Sequence, residues 1–279
     1  MGKLTASVFH YGRLLAFAIA SMAMIFAGEA TAAEEIRIGG SGNALGIMRP
    51  LGDAFSKQNP DIKITVLPSL GSSGAIKAVN KGAIDIGLTS RPLTEEEGKL
   101  GMIAVEYART LLVFAVSTGS PVTSVTLAQL ADIYSGKTAS WPDGTQIRPV
   151  VRQAGDDDAR AIMQMSAAFD KAWSAAERRP GLPFATSDQE TADKTETIPG
   201  ALSTTTLLQI KSENRQLRAL TLDGVEPTVS NGKSGKYPHV KRLWFATRSD
   251  TSAAARRFIA FVQSPLGREI LIRADSWIP

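Results

Sequence analysis

The sequence predicts an α/β fold in which a mostly parallel sheet is covered by helices on both faces. From residue 35 onward, short β-branched runs alternate with segments of helical periodicity, which is the order typical of βαβ units. The composition, 43% apolar and 21% charged, is that of a globular protein. A chain of 279 residues often divides into two cores, so its length is sufficient for two lobes.

The first 33 residues have the pattern of a secretory signal peptide. Two basic residues precede an apolar run at 14–27, and small residues lead to an A-x-A pattern at 30–32. The apolar run is shorter than the roughly 20 residues that cross a hydrocarbon core. We expect cleavage after Ala32 or Ala33 and export to the bacterial periplasm. Because the chain has no cysteine, we expect no lipid anchor.

The first part of the mature chain is predicted to be one βαβαβ unit with glycine-rich loops before its helices. Its first helix carries Met48, Leu51, Ala54 and Phe55 on one face, with Pro50 near its first turn. The predicted strands are 36–38, 62–67 and 84–89, and the predicted second helix runs through 75–80.

The second part begins after an apolar run at 111–116 that is typical of a strand buried on both faces. We predict a turn at 117–121 that leaves the first lobe, and a surface loop at 224–238. The remaining predicted elements are helices at 127–134, 156–177, 252–262 and 265–272 and strands at 147–152 and 243–247.

Composition excludes several classes of site. Without cysteine there is no disulfide, thiolate nucleophile, Cys-ligated zinc or iron–sulfur cluster. His10 lies in the leader, so His239 is alone in the mature chain, which argues against a site with two imidazoles. The 31 basic residues are scattered among 27 acidic ones, so we expect no nucleic-acid partner. We also expect no cofactor and no metal.

Two loops, each at the carboxyl end of a predicted strand, open helices with small polar residues: 41–43 and 72–74. Helix starts offer unpaired N–H groups, so these loops could form a two-sided cradle for an oxyanion. The alternative is that their Gly and Ser are only turn and cap residues. A hydrolase with Ser72 or Ser73 as nucleophile is a further alternative, but the chain shows no G-x-S-x-G elbow and no convincing base.

Several segments, in the same order, resemble the periplasmic phosphate-binding proteins of bacterial ABC importers. The resemblance covers essentially the whole mature chain and is weakest at 169–197. It rests on the segments IGGSG at 38–42, LGSSGAIK at 70–77, GAIDIGLTSRPL at 82–93, IYSGK at 133–137 before Trp141, and SPLG at 264–267 near the Ile278-Pro279 end.

The resemblance implies a two-lobed, hinge-closing protein with two strand crossings. It would hold phosphate or a related oxyanion in the interlobe cleft and present it, as a monomer, to an ABC permease in the inner membrane, without catalysis. We expect lobe one at 34–116 plus 240–279 and lobe two at 117–239. By position in the motifs, the implied ligand-binding residues are Ser41, Gly42 and Asn43 in the first loop, Ser72, Ser73 and Gly74 in the second, Ser90 where the family has Asp, its neighbour Arg91, and Arg152 at the family's arginine.

The chain departs from the family after Arg152. Where the family has Ser-Gly-Thr, this sequence has Asp156, Asp157 and Asp158, and we include Asp156 among the candidate ligand-binding residues. Acidic residues at a helix start each stabilise the helix by about 0.3 to 1 kcal/mol. A carboxylate about 4 Å from a bound anion, however, repels it by about 4 kcal/mol at an effective dielectric constant of 20.

Three outcomes therefore stay open. An oxyanion is still bound, with the acids turned outward and Arg91 or Arg152 compensating. A different ligand is bound, with a cationic or hydroxyl-rich part. Or the scaffold has lost its ligand and acts as a sensor or partner protein. Arg152 could pair with Asp156, and Arg91 could form a surface salt bridge with Glu95 or Glu96 instead of contacting ligand.

Overall fold

The central feature of the fold is a mixed sheet of eight strands, seen in a computed structural model that describes residues 34–153 and 155–279. The predicted signal peptide, residues 1–33, lies outside the described residues. The strands are β1 (Glu34–Gly40), β2 (Ile62–Val66), β3 (Ile86–Thr89), β4 (Met102–Ser117), β5 (Ser124–Val125), β6 (Arg148–Pro149), β7 (Val151–Arg152), β8 (Phe184–Ala185), β9 (Ala201–Thr206), β10 (Leu217–Ala219), β11 (Thr221–Leu222) and β12 (Val240–Arg248).

The order of strands in the large sheet is β2-β1-β3-β12-β4-β9-β6, and β10 also pairs with β4. β1 is parallel to both β2 and β3, as βαβ connections require, whereas β12 is antiparallel to both β3 and β4. The short strands β5 with β11 and β7 with β8 form two further parallel pairs.

The helices cover the faces of this sheet, and among them no helix is long and apolar enough to span a membrane within the described part of the chain. They are α1 (Leu45–Gln58), preceded by a 3-10 turn (Gly42–Ala44), α2 (Gly71–Asn80), α3 (Glu95–Lys99), α4 (Leu127–Ser135), α5 (Asp157–Met163), α6 (Ala167–Glu177), α7 (Asp188–Thr197), α8 (Leu207–Ser212), α9 (Val229–Lys233), α10 (Ala253–Gln263) and α11 (Pro265–Arg273).

Capping divides these helices into two groups. Every described helix from α3 onward follows a Ser, Thr or Asp whose side chain accepts a hydrogen bond from a first-turn amide. The helices α1 and α2 follow Ala44 and Leu70, which provide no such acceptor. The two helices whose starts were predicted to face a ligand are therefore the ones without a side-chain cap.

The strand β4 belongs to both cores of the protein. Its first part, Met102–Leu111, pairs with β12, and its second part pairs with β9 and β10. The first core packs around Phe55, Phe245 and Phe258, and the second around Phe169 and Trp173. The change of partner thus falls inside a continuous 16-residue strand, between residues 111 and 112.

Several sequence-based elements differ from the structure. The surface loop predicted at 224–238 contains the helix α9 and the buried Tyr237, and the strand predicted at 111–116 begins at Met102. The helix predicted at 156–177 is two helices, because Ser166 caps a new one by accepting a hydrogen bond from the Phe169 amide. The strand predicted at 147–152 is two short strands in different sheets. Pro50 is not in the first turn of α1, which begins at Leu45; it lies inside the helix, on an exposed position.

Candidate ligand-binding cleft

A cleft of about 370 Å³ is lined by residues of both parts of the chain. One wall is the loop and first turn at 69–74, and the other contains the start of α5. The lining residues are Ser41, Ser69, Leu70, Gly71, Ser72, Ser73, Gly74, Arg152, Gln153, Gly155, Asp156, Asp157, Asp158, Thr186, Asp188 and Lys241.

The first wall of the cleft is the start of α2. Gly71 has φ +63°, a backbone conformation that glycine adopts without strain, and it turns the chain from β2 into the helix. Leu70 precedes the helix without capping it, so the first-turn amides keep their capacity to donate to a ligand. The predicted residues Ser72, Ser73 and Gly74 all belong to this turn and line the cleft.

Three serine hydroxyls link this wall to the end of β3. The Ser72 hydroxyl accepts a hydrogen bond from the backbone N–H of Ser90 (3.0 Å), and the hydroxyls of Ser90 and Ser41 lie 2.6 Å apart. Ser41 and Ser72 line the cleft, whereas Ser90 contacts both without being among the lining residues of the described chain. Ser90 therefore supports the wall.

The second wall of the cleft contains a buried guanidinium. Arg152 is 4% exposed, and its Nη2 lies 2.5 Å from an Asp156 oxygen and 3.3 Å from an Asp188 oxygen. Its Nη1 donates to the Thr191 hydroxyl (2.8 Å), while its Nε is buried without a partner among the described residues. Burial lowers the pKa of the guanidinium, but the carboxylates of Asp188 and Asp156 raise it overall. The pairing of Arg152 with Asp156, foreseen as an alternative, is confirmed.

A second buried cation lies beside the first. Lys241, on β12, is 7% exposed and donates to the carboxylate of Asp158, which also accepts a hydrogen bond from Asn43 Nδ2 (3.0 Å). Burial lowers the pKa of the Lys241 ammonium, and the charges of Asp158 and Asp188 outweigh this and raise it. Lys241 was missed in the sequence, where it is one charged residue in a strand.

Asp188, the first residue of α7, contacts both parts of the chain. Its Oδ2 accepts a hydrogen bond from the backbone N–H of Asn43 (2.8 Å), and its Oδ1 is the atom close to Arg152. Burial raises the pKa of this carboxyl to about 6, with Arg152 acting in the opposite direction. In Asp156, burial also raises the pKa, but the ion pair with Arg152 lowers it overall. Asp188 was likewise missed, because its local pattern is that of a residue after the cap Ser187.

The acidic residues are turned into the cleft, not outward. Asp156 and Asp158 hold the two buried cations, and only Asp157 pairs with an exposed partner, Arg160. The expectation of outward acids is wrong because a buried guanidinium or ammonium without a carboxylate is strongly unfavourable. The cleft wall therefore carries more carboxylates than cations.

Arg91 lies apart from this constellation. Both of its terminal nitrogens donate to the carboxylate of Glu97 at 2.8 Å, and it is not among the lining residues of the described cleft. Hydrogen bonds from Arg91 lower the pKa of Glu97 to about 2. The predicted partners Glu95 and Glu96 are wrong, because the capping box with Thr94 holds Glu97 where Arg91 reaches it.

The model of a protein family described as "PBP superfamily domain" matches residues 27–265 of the chain. The chain belongs to this family. This chain is 23% identical to the phosphate-binding protein PstS of Bacillus subtilis over 263 residues, which cover 90% of this chain and 83% of that protein. It is 36% identical to PstS 2 of Streptococcus pneumoniae over 107 residues, which span only 36% of that relative's length.

Two solved structures have the same fold as this chain. A Clostridium perfringens protein described as an ABC transporter substrate-binding protein, with bound phosphate, has a TM-score of 0.74 at 24% identity and covers 88% of this chain and 100% of its own. The periplasmic molybdate-binding protein of Azotobacter vinelandii has a TM-score of 0.62 at 16% identity, covering 88% and 99%. The two-lobed α/β fold and the family expected from the sequence are confirmed.

Proposed function

We propose that the protein is the exported solute-binding component of an ABC importer. Its cleft would capture a small oxyacid that carries at least one hydroxyl proton, with phosphate as the first candidate. One observation carries the proposal: the uncapped start of α2 and the Arg152–Asp156 pair line the same cleft. Backbone amides and a guanidinium donate to ligand oxygens, and a carboxylate accepts from a ligand hydroxyl.

The requirement for a hydroxyl proton follows from Asp156. Its carboxylate only accepts hydrogen bonds, so a bare anionic oxygen about 4 Å away is repelled by about 4 kcal/mol at an effective dielectric constant of 20. A P–OH group in the same place donates to the carboxylate instead. Sulfate and molybdate carry no such proton near neutral pH, so we expect the cleft to prefer phosphate or a phosphonate to both.

The proposed mechanism is capture by closure. We propose that the lobes divide inside β4, where the strand changes partners, so that Gly71–Gly74 lie in one lobe and Arg152 with Asp156 in the other. A ligand that bridges both walls binds the closed form better than the open one and shifts the population toward it. The closed form would then be presented to a membrane permease.

The excess of carboxylates favours a second candidate. The cleft lining contains two cations, Arg152 and Lys241, against the four carboxylates of Asp156, Asp157, Asp158 and Asp188. A neutral, hydroxyl-rich ligand donates to such carboxylates without repulsion, and a cationic group would be attracted. A hydroxyl-rich or cationic solute is therefore the alternative to an oxyacid on the same scaffold.

Calorimetric titration of the purified protein with phosphate, methylphosphonate, sulfate and molybdate at pH 7.5 tests the proposal. We expect phosphate to bind at least about tenfold more tightly than sulfate. Arg152→Met and Ser72→Ala should each remove tight binding, while Arg91→Met, an arginine variant outside the cleft, should not. Absence of heat with every oxyanion would favour the second candidate or a scaffold without ligand. Release of inorganic phosphate from an ester would indicate a hydrolase.

A further inference from the structure

The carboxylate of Asp188 occupies the first of the two loops predicted to bind an anion. It accepts the backbone N–H of Asn43 at 2.8 Å across 145 positions of sequence. The neighbouring side chain of Gln189 donates to the carbonyl of Gly42 at 2.9 Å. The backbone N–H of Asn43 and the carbonyl of Gly42 are therefore bonded to the first turn of α7.

The approach of α7 to this loop depends on a glycine. A Cβ atom at Gly42 would lie 2.6 Å from Asp188 Oδ2 and 2.7 Å from Gln189 Oε1, both closer than real contacts allow. Gly42 and the Asn43 amide are consequently covered by α7 in this conformation, while Ser41 still lines the cleft. A ligand in the cleft has the start of α2 and the Arg152–Asp156 pair available to it.

The position of Asp188 is that of an anion bound between the two parts of the chain. Its other oxygen lies 3.3 Å from Arg152 Nη2, so one carboxylate joins a backbone amide of the first loop to the buried guanidinium. Its side chain is only 11% exposed, which keeps the charge poorly screened. Arg152 retains one buried donor, Nε, without a partner among the described residues.

We propose that Asp188 is a specificity-determining residue: a built-in anion that occupies the Asn43 amide of the first loop and, together with Asp156, disfavours fully ionised oxyanions in the cleft. The cleft then accepts ligands that bring a hydroxyl proton or no net charge. This inference rests on the proposed function, since it names the charge class of the solute that the same cleft accepts.

The variant Asp188→Asn tests the inference. Asparagine has nearly the same size and keeps an oxygen that accepts the Asn43 N–H, but it removes the negative charge. We expect the variant to bind sulfate at least about tenfold more tightly than the unchanged protein at pH 7.5, measured by calorimetry. A purely structural role for Asp188 predicts no gain, because a distorted cleft does not acquire affinity for a new ligand.

The matched control is Asp193→Asn on the same helix. Asp193 is 64% exposed and pairs with Arg215, away from the lining of the cleft. Its variant should bind sulfate as the unchanged protein does. Sulfate affinity of Asp188→Asn equal to or below that of the unchanged protein overturns the inference while leaving the proposed function intact if phosphate binds. A gain of sulfate binding without phosphate binding by the unchanged protein supports the inference and contradicts the proposed function.

A second measurement uses the unchanged protein and serves if the variant does not fold. The charged groups that face Asp188 are Arg152 on β7, Asp156 at the capping position of α5, Asp158 in the first turn of α5, and Lys241 on β12. Acidification from pH 7.5 to 5.0 protonates Asp188 first, since burial raises its pKa to about 6 while the ion pair with Arg152 lowers that of Asp156. Sulfate affinity should rise at least about fivefold over this range; a constant or falling affinity overturns the inference.

Discussion

Lys241 and Asp158 form an ion pair across 83 positions of sequence, with side chains only 7% and 4% exposed. The pair joins β12, the strand at the centre of the large sheet, to the start of α5 in the cleft wall. Each partner is the main reason that the other can be buried. The contact therefore links the centre of the sheet to the wall of the cleft.

Removal of the ammonium should strongly destabilise the protein. Lys241→Met leaves the Asp158 carboxylate buried with Asn43 as its remaining partner, and we expect the free energy of unfolding to fall by about 3 to 5 kcal/mol. The measurement is urea denaturation at pH 7.5. The control is Lys211→Met, whose side chain is 57% exposed and 3.7 Å from Asp275, and which should change stability by less than about 1 kcal/mol. Equal losses in both variants would contradict the role assigned to the buried pair.

A methyl group at residue 42 should force the first loop and α7 apart. Gly42→Ala places a Cβ against Asp188 and Gln189, and we expect a loss of about 1 to 3 kcal/mol in the free energy of unfolding. Gly98→Ala in α3 is the control. A Cβ added at Gly98 would meet no atom within 4 Å apart from its own helix backbone, and alanine favours a helix. Chemical denaturation of both variants checks the expectation, and an unaffected Gly42→Ala would mean that α7 moves freely.

The raised pKa of Asp188 predicts how its contribution to stability depends on pH. The carboxyl has a pKa of about 6 in the folded protein against 3.8 as its ordinary value, so the folded state binds its proton more readily. Its stabilising contribution is present below pH 3.8 and is lost as the pH rises through 6. Relative to Asp188→Asn, the unchanged protein should therefore gain stability on acidification from pH 7.5 to 4.5, by about 2 kcal/mol. The measurement is thermal unfolding of both proteins at each pH. A loss of stability of the unchanged protein relative to Asp188→Asn over this range would show that the assigned sign is wrong.

Arg91 and Arg152 should respond differently to the same substitution. Arg91→Met breaks a contact with Glu97 outside the cleft, so we expect ligand affinity to change by less than about twofold. Arg152→Met removes the guanidinium that lines the cleft and should lower affinity by at least about a hundredfold. The affinities of both variants are measured by calorimetry with the oxyacid that the unchanged protein binds most tightly. A hundredfold loss in Arg91→Met would place that residue at the ligand.

Much of the segment 34–89 and part of the site could be predicted from local sequence. The strands and helices from 34 to 89 follow apolar periodicity, and Gly71 and the capping position of Asp156 follow local turn and cap chemistry. The ion pair of Arg152 with Asp156 was also accessible, because the two residues lie four positions apart.

The remaining site residues could not be predicted because tertiary packing, not local pattern, brings them into the cleft. Asp188 meets Asn43 only through the approach of α7 to the first loop, and Lys241 meets Asp158 only because β12 inserts into the sheet. The first half of β4 was missed for a different reason. Residues such as Glu106 and Arg109 interrupt its apolar pattern and pair with each other there.

The place of β12 in the sheet determines when the protein can fold. β12 is the last of the described strands in sequence, yet it lies between β3 and β4 in the sheet. These two strands therefore lack their common partner until residue 248 has been synthesised. Lys241, whose ammonium pairs with the Asp158 carboxylate, belongs to the same strand. A nascent chain emerging from the ribosome consequently stays without a finished core during most of its elongation.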